Sequence, residues 1–174
     1  KKQLHYFYKY PDLTLLSTGT VFVYADKDPI WPEEREEASV QLVNNILIYR
    51  NPISHSSVMM KRDDLVSIEM YSEKLSSQLD YDLWVRFAER GYKLGYISTK
   101  LASKRIHSRQ SFENKKRIHY LKSSLDIQKK AIKNLNGGYR AIVTMYLRFL
   151  YGLMVPQKMR IRLGKIKFLN SSSR

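Results

Sequence analysis

Residues 78–97, "QLDYDLWVRFAERGYKLGYI", set two carboxylates, Asp80 and Asp82, in front of a helix-like run and then a strand-like one. Leu83, Trp84 or Val85, Phe87 and Ala88 recur at helical spacing up to Arg90, and Gly91 is a natural carboxyl cap. An acid at a helix start accepts backbone N–H bonds and suits the positive end of the dipole. On the residues alone, the two acids are either caps or chemical groups.

The surroundings read as mixed α/β. Residues 1–10 resemble the tail of a helix with Leu4, Phe7 and Tyr8 on one side, ended by Tyr10-Pro11-Asp12. "LTLLSTGTVFVYAD" is rich in β-branched and aromatic residues, so one strand or a bent pair around Gly19 is expected. Acids follow Pro32, and Ala38, Leu42, Val43, Ile46 and Leu47 recur at helical spacing, which predicts an amphipathic helix over 33–49. "HSSVMMKR" predicts a short buried strand and "DDLVSIEM" a helical turn; after Gly91, "YKLGYI" and "LASKRIH" predict two short strands. Beyond Ser111 the pattern is helical to about Leu135, breaks at "NGG", and resumes from Tyr139 until Pro156.

Charge divides the chain. Residues 1–99 hold 12 Lys and Arg against 14 Asp and Glu, whereas residues 100–174 hold 19 against 2. A surface so basic favours nucleic acid, anionic lipid headgroups or phosphorylated substrates. Nucleic acid is disfavoured, because no zinc-finger, RRM or KH motif is visible and the aromatics do not interleave with the basic clusters on a sheet. The absence of cysteine fits a reducing compartment. The longest apolar stretch, "AIVTMYLRFLYGLMV" at 141–155, falls short of the roughly 20 residues a bilayer needs and carries Arg148 at its middle. "KKQLHYFYKYPD" has charge but no apolar run behind it, unlike a signal peptide.

Three segments in order, "NPISHSSVMMKRDDL" (51–65), "LDYDLWVRFAERGYKLGYI" (79–97) and "LASKRIHSRQSF" (101–112), resemble the carboxyl-terminal half of family 2 glycosyltransferases of the GT-A type. The resemblance covers roughly residues 1–112. It implies a partial GT-A, Rossmann-like mixed sheet with flanking helices as an acceptor-binding and catalytic-base domain, and residues 113–174 follow as a basic all-α extension. It implies transfer, with inversion, from a nucleotide-sugar to a glycan or lipid-linked acceptor in cell-surface polysaccharide synthesis. The family's metal-binding Asp-X-Asp is not found. Asp26-Lys27-Asp28 follows the wrong strand and reads as a turn before Pro29, so the chain is expected to be a fragment, inactive by itself.

The resemblance carries roles onto particular residues. Asp80 matches the family's general base, which takes the proton from the attacking hydroxyl, and Asp82 is left as the cap or a sugar contact. Leu79 stands where the family has a polar residue. In Lys104-Arg105-Ile106-His107, Lys104 replaces a family Tyr, and His107 matches a histidine that can help hold a divalent Mg or Mn ion against the diphosphate. Arg105 pairs either with phosphate or with a structural acid. His55 is either a sugar contact or a half-buried core histidine, and Trp84 either a sugar-stacking face or core.

In the tail, Arg140, Thr144 and Arg148 form a narrow polar stripe on an apolar helix, and "QKMRIRLGKIKFLN" alternates cations with apolar residues. Residues 139–169 thus read either as a segment lying on anionic membrane, placing the protein peripherally on the cytoplasmic face, or as a core helix with a solvated basic face. The alternative to an enzyme is a non-catalytic basic module that binds membrane or scaffolds other transferases.

Overall fold

The protein is described by a computed structural model covering residues 1–24, 28–32, 38–106 and 117–155. Its elements in chain order begin with helix α1 (Lys2–Lys9), strand β1 (Leu13–Tyr24) and strand β2 (Gln41–Leu42). Strand β3 (Met59–Met60), helix α2 (Arg62–Ser67), helix α3 (Leu79–Glu89) and strand β4 (Lys93–Ile106) follow. Helices α4 (Arg117–Asn134) and α5 (Tyr139–Met154) complete it. Among the described residues the sheet has four strands in the order β2-β4-β1-β3, with β1 and β4 parallel and the two short strands antiparallel at the edges. The chain is therefore α/β, with a mixed sheet compatible with part of a Rossmann-like fold.

The central pair is buried on both faces. Leu15 and Leu94 point into the main core with Leu47, Trp84 and Phe87, whereas Leu16 and Ile97 point to the opposite face with Tyr6 and Leu13. Parallel strands covered on both sides read as continuous apolar runs, and "LTLLS" is one. The pairing shifts register on either side of Gly19. A Cβ there would stand 2.5 Å from the Ser98 carbonyl oxygen, so only glycine lets the strands approach at that point. The expected strand pair after Gly91 is one 14-residue strand, because β4 pairs with β1 along its length.

Helix α3 ends as its sequence requires. Gly91 has φ +78°, its N–H donates to Ala88 O (3.0 Å), and Tyr92 N–H donates to Phe87 O (3.1 Å), which is the Schellman arrangement.

Two expectations are corrected. The helix predicted over 33–49 is not present in its described part: Gln41–Leu42 pairs with Tyr96 and Gly95 of β4, and a single 3₁₀ turn at Asn44–Ile46 follows. Asn44 causes the change of direction, its Nδ2 donating to Tyr92 O (2.7 Å) and its Oδ1 accepting from Leu94 N–H (3.0 Å). In α1, Tyr6 is buried and Phe7 packs against the cluster of Tyr6, Leu13, Leu16 and Ile97, while Leu4 and Tyr8 are exposed. Tyr6 donates its hydroxyl to Ala38 O (3.0 Å), and Gln3 Nε2 donates to Leu16 O and Ser57 O, so polar anchors act with the apolar contact to orient this helix.

The carboxyl-terminal helices build onto this frame. Ile127 and Ala131 of α4 enter the main core, and Gln128 Nε2 donates to Ile48 O (3.0 Å) and Tyr49 O (2.8 Å). α5 rests on α4 through Ala141, Met145 and Ile132. Arg117 also donates to Gly152 O.

Candidate functional site

α3 starts abruptly. Gln78, the residue before it, has φ 60° and ψ 27°, and no side chain caps the first turn. A non-glycine residue in the left-handed region costs of order 1 kcal/mol or more, and such strain gathers at functional sites. Neither Asp80 nor Asp82 caps the helix, which corrects the capping expectation for Asp82.

The two acids go to different places. Asp80 lines a cleft of about 700 Å³, where its Oδ2 accepts from Asn51 Nδ2 at 3.0 Å. Asn51 Oδ1 in turn accepts from Ile53 N–H (3.1 Å), which leaves the NH₂ group facing the carboxylate. Asp82, 8% exposed, accepts from Arg86 Nε at 2.8 Å and has Lys130 Nζ 3.7 Å from its other oxygen. Arg86 then donates to Ile68 O and Met70 O, clamping a turn in which Glu69 and Met70 both have positive φ. Asp82 is a structural ion-pair residue and does not line the cleft.

His55 and Arg105 join Asp80 in the cleft wall. His55 Nε2 lies 2.8 Å from the Tyr71 hydroxyl. Burial pushes the Tyr71 phenol above its ordinary value, and the negative charge of Asp80 adds to the rise. Burial raises Tyr81 much further; the nearby Arg148 opposes this. Trp84 is fully buried and stacks at 6.4 Å on Phe87, so the sugar-stacking reading is corrected to core. The period of α3 turns Trp84 inward while its neighbour one turn earlier, Asp80, sits at the cleft edge.

Arg50, Asn51, Lys104 and Arg148 also line the cleft and were not singled out as ligands from sequence, apart from Lys104 as a departure from the family pattern. Their signal was present: Asn51 opens the "NPISH" segment, and Arg148 interrupts an apolar helix. Among the described lining residues Asp80 is the sole acid, against Arg50, Lys104, Arg105 and Arg148.

Among the described residues no three His, Cys, Asp or Glu side chains gather as a metal donor set. His107, the residue on which the metal expectation rests, lies outside the described residues, as do Asp26, Lys27 and residues 156–169 of the tail. The described residues do not form a metal site by themselves.

Fold and cleft together define an α/β protein with a carboxylate at a helix start facing a cationic hollow. Comparison with known proteins gives two relatives. The amylovoran biosynthesis glycosyltransferase AmsE of Erwinia amylovora is 25% identical over 163 residues, covering 92% of this chain and 59% of that protein. The uncharacterized glycosyltransferase MJ1057 of Methanocaldococcus jannaschii is 26% identical over 112 residues, covering 64% of this chain and 38% of that protein. The chain is thus related to glycosyltransferases, and its match spans about three fifths and two fifths of their lengths. No family profile matches the chain.

Proposed function

We propose that this chain forms the acceptor side of an inverting glycosyltransferase that moves a sugar from a nucleotide-sugar to a glycan or lipid-linked acceptor in cell-surface polysaccharide synthesis, with Asp80 as general base. The observation that carries this reading is the Asp80 carboxylate, oriented by Asn51, as the single acid among the described residues that line a cationic cleft of roughly 700 Å³. Inversion requires the acceptor oxygen to attack the anomeric carbon opposite the departing nucleotide diphosphate. Asp80 receives the hydroxyl proton on the oxygen that Asn51 does not engage, as the new C–O bond forms and the bond to the diphosphate breaks. In this reading His55, which lines the cleft and meets the Tyr71 hydroxyl, binds a sugar hydroxyl, and Arg105 supplies positive charge.

The reading extends to location. Tyr146, Leu147, Leu150, Tyr151, Leu153 and Met154 of α5 are all exposed, and the segment that follows is basic in sequence. Among the described residues no helix is long and apolar enough to cross a membrane. An apolar helical face followed by cations suits peripheral attachment to anionic lipid at the cytoplasmic face.

The deciding experiment is Asp80→Asn in the full-length protein. Loss of a positioned base costs roughly 10²- to 10⁴-fold in transfer rate, while nucleotide-sugar binding should be retained. Transfer within a factor of about three of the parent would remove Asp80 from the role of base.

A further inference from the structure

His55 and Tyr71 meet although they belong to different loops. His55 opens the 3₁₀ turn His55–Ser57 that leads into β3, and Tyr71 follows the turn that Arg86 clamps through Ile68 O and Met70 O. Glu69 and Met70 in that turn lie in the left-handed region, with φ 64° and 55°. Two such residues in succession persist only where neighbouring contacts hold them, and Arg86, itself paired with Asp82, supplies those contacts. The reversal brings the Tyr71 hydroxyl to 2.8 Å from His55 Nε2. The imidazole also meets the Tyr71 ring at 5.8 Å and the Trp84 ring at 6.1 Å between centroids, so two aromatic neighbours set its plane.

A neutral imidazole carries one N–H and one bare nitrogen, and the partner of one nitrogen decides what the other offers. Tyr71 keeps its proton, because burial and the charge of Asp80 both hold the phenol above its ordinary value. A phenolic O–H is a stronger donor than an imidazole N–H, and a bare imidazole nitrogen is a stronger acceptor than a phenolic oxygen whose lone pairs feed its ring. The favoured bond therefore runs from the Tyr71 hydroxyl to Nε2, which leaves the ring proton on Nδ1. Nδ1 lies on the other side of the ring, and among the described residues it has no hydrogen-bond partner. His55 lines the cleft with Asp80, whereas Tyr71 is not among the described residues that line it.

We propose that Tyr71 is a positioning residue: its hydroxyl donates to His55 Nε2 and holds the imidazole as the Nδ1–H tautomer, so that His55 offers the cleft a hydrogen-bond donor for a sugar oxygen. This complements Asp80, which only accepts. Asn51 occupies Asp80 Oδ2, so a sugar hydroxyl bound at the other oxygen spends its proton there and keeps only lone pairs for any further bond. A donor at His55 can meet such an oxygen, and a bare nitrogen cannot. The use of this donor rests on the reading of the cleft as a sugar site with Asp80 as base, whereas the tautomer stands on the contact with Tyr71.

The test is nuclear magnetic resonance of the full-length protein labelled with ¹⁵N-histidine, at about pH 8, above the ordinary histidine value of about 6.5. Long-range proton–nitrogen correlations report which ring nitrogen holds the proton, and the signals lost in His55→Asn are those of His55. The parent should show a protonated Nδ1 and a bare Nε2. Tyr71→Phe, which keeps the ring and its packing, should move the proton to Nε2, the tautomer that free histidine prefers. In transfer assays the same variant should lower kcat/KM by about tenfold, the order of one hydrogen bond. His55→Asn, whose amide N–H stands in for Nδ1–H, should retain more activity than His55→Gln, and adding Tyr71→Phe to His55→Asn should cost nothing further. Circular dichroism selects the folded variants. A proton on Nε2 or on both nitrogens in the parent, or a tautomer that survives Tyr71→Phe, overturns the proposal. Transfer indifferent to Tyr71→Phe, or an equal loss from Tyr71→Phe on the His55→Asn background, overturns the positioning role. Should Asp80→Asn keep its transfer activity, the base reading fails while the tautomer assignment stands.

Discussion

Asn51 Nδ2 and Asp80 Oδ2 meet at 3.0 Å although 29 positions separate the residues. The contact joins the loop before β3 to the first turn of α3, and the second bond of Asn51, to Ile53 N–H, stops its amide from turning over. A carboxylate at a cleft edge is otherwise free to rotate, so this amide decides which oxygen faces a substrate.

Asn51→Ala should therefore reduce kcat of the full-length protein by about 10²-fold, the order of loss that a small misplacement of a reacting group produces. KM for the nucleotide-sugar should stay close to the parent value. Steady-state kinetics with acceptor saturating makes the distinction, and an equal rise in KM with kcat untouched would contradict a positioning role.

Asp82→Asn should behave in the opposite way to Asp80→Asn. Breaking a buried ion pair by removing one partner costs about 3–5 kcal/mol, and here Arg86 would lose the charge that holds it against Ile68 O and Met70 O. Partial exposure of the pair places the expected loss at or below the lower end. Urea denaturation reads this. A stable Asp82→Asn protein with a larger loss of transfer than Asp80→Asn would reverse the two roles.

Tyr71 and Tyr81 make the fold sensitive to alkali. Both phenols are raised above the ordinary value of 10.0, chiefly by burial. The folded state thus keeps protons that the unfolded state releases once pH passes about 10, so their contribution is complete below that pH and declines as pH climbs toward the folded values. Tyr81→Phe should cost about 1–2 kcal/mol at neutral pH by leaving Leu47 O without its donor. Above pH 10 the parent should lose stability faster, narrowing the gap. Urea midpoints measured at pH 8 and above 10 test it, and a gap independent of pH would refute it.

Gly91→Ala and Gly19→Ala should both destabilise, for different reasons. At Gly91 a Cβ has open space, so the cost is that of the left-handed backbone, about 1–2 kcal/mol. At Gly19 the Cβ meets backbone at 2.5 Å, so β1 and β4 must part and the loss should be the larger of the two. Denaturant titration of each variant ranks them.

Leu147→Glu together with Leu150→Glu should abolish attachment to vesicles without unfolding α5, since both side chains are exposed. Parent protein should pellet with anionic but not neutral vesicles, and less at high salt, because headgroup attraction fades within a Debye length of about 8 Å at physiological ionic strength. Equal pelleting of parent and double variant would mean that the α5 face does not touch lipid.

The elements that sequence alone determined are those whose cause is local. α3 is legible because its apolar period and Gly91 act within a few residues of one another, and the breaks at Tyr10-Pro11 and "NGG" are equally local. The imbalance of charge between the two parts of the chain is likewise a property of composition. Asp80 and His55 were placed through motif order, and the structure brings them into one cleft together with Arg105.

What only the tertiary structure decided depends on distant partners. The helical period within 33–49 gives way over its described part because Gln41 and Leu42 are recruited by β4 and Asn44 is held by Tyr92 and Leu94, bonds that no local pattern announces. Trp84 and Asp82 share a helix with Asp80, yet rotation about its axis buries the first and pairs the second with Arg86. Arg148 lies 68 positions beyond Asp80 and reaches the same cleft because α5 packs on α4, and α4 enters the main core. Pattern and propensity act over a turn or two of chain, whereas a site assembled from β4, α3, α4 and α5 exists only after those elements have buried their apolar faces against one another.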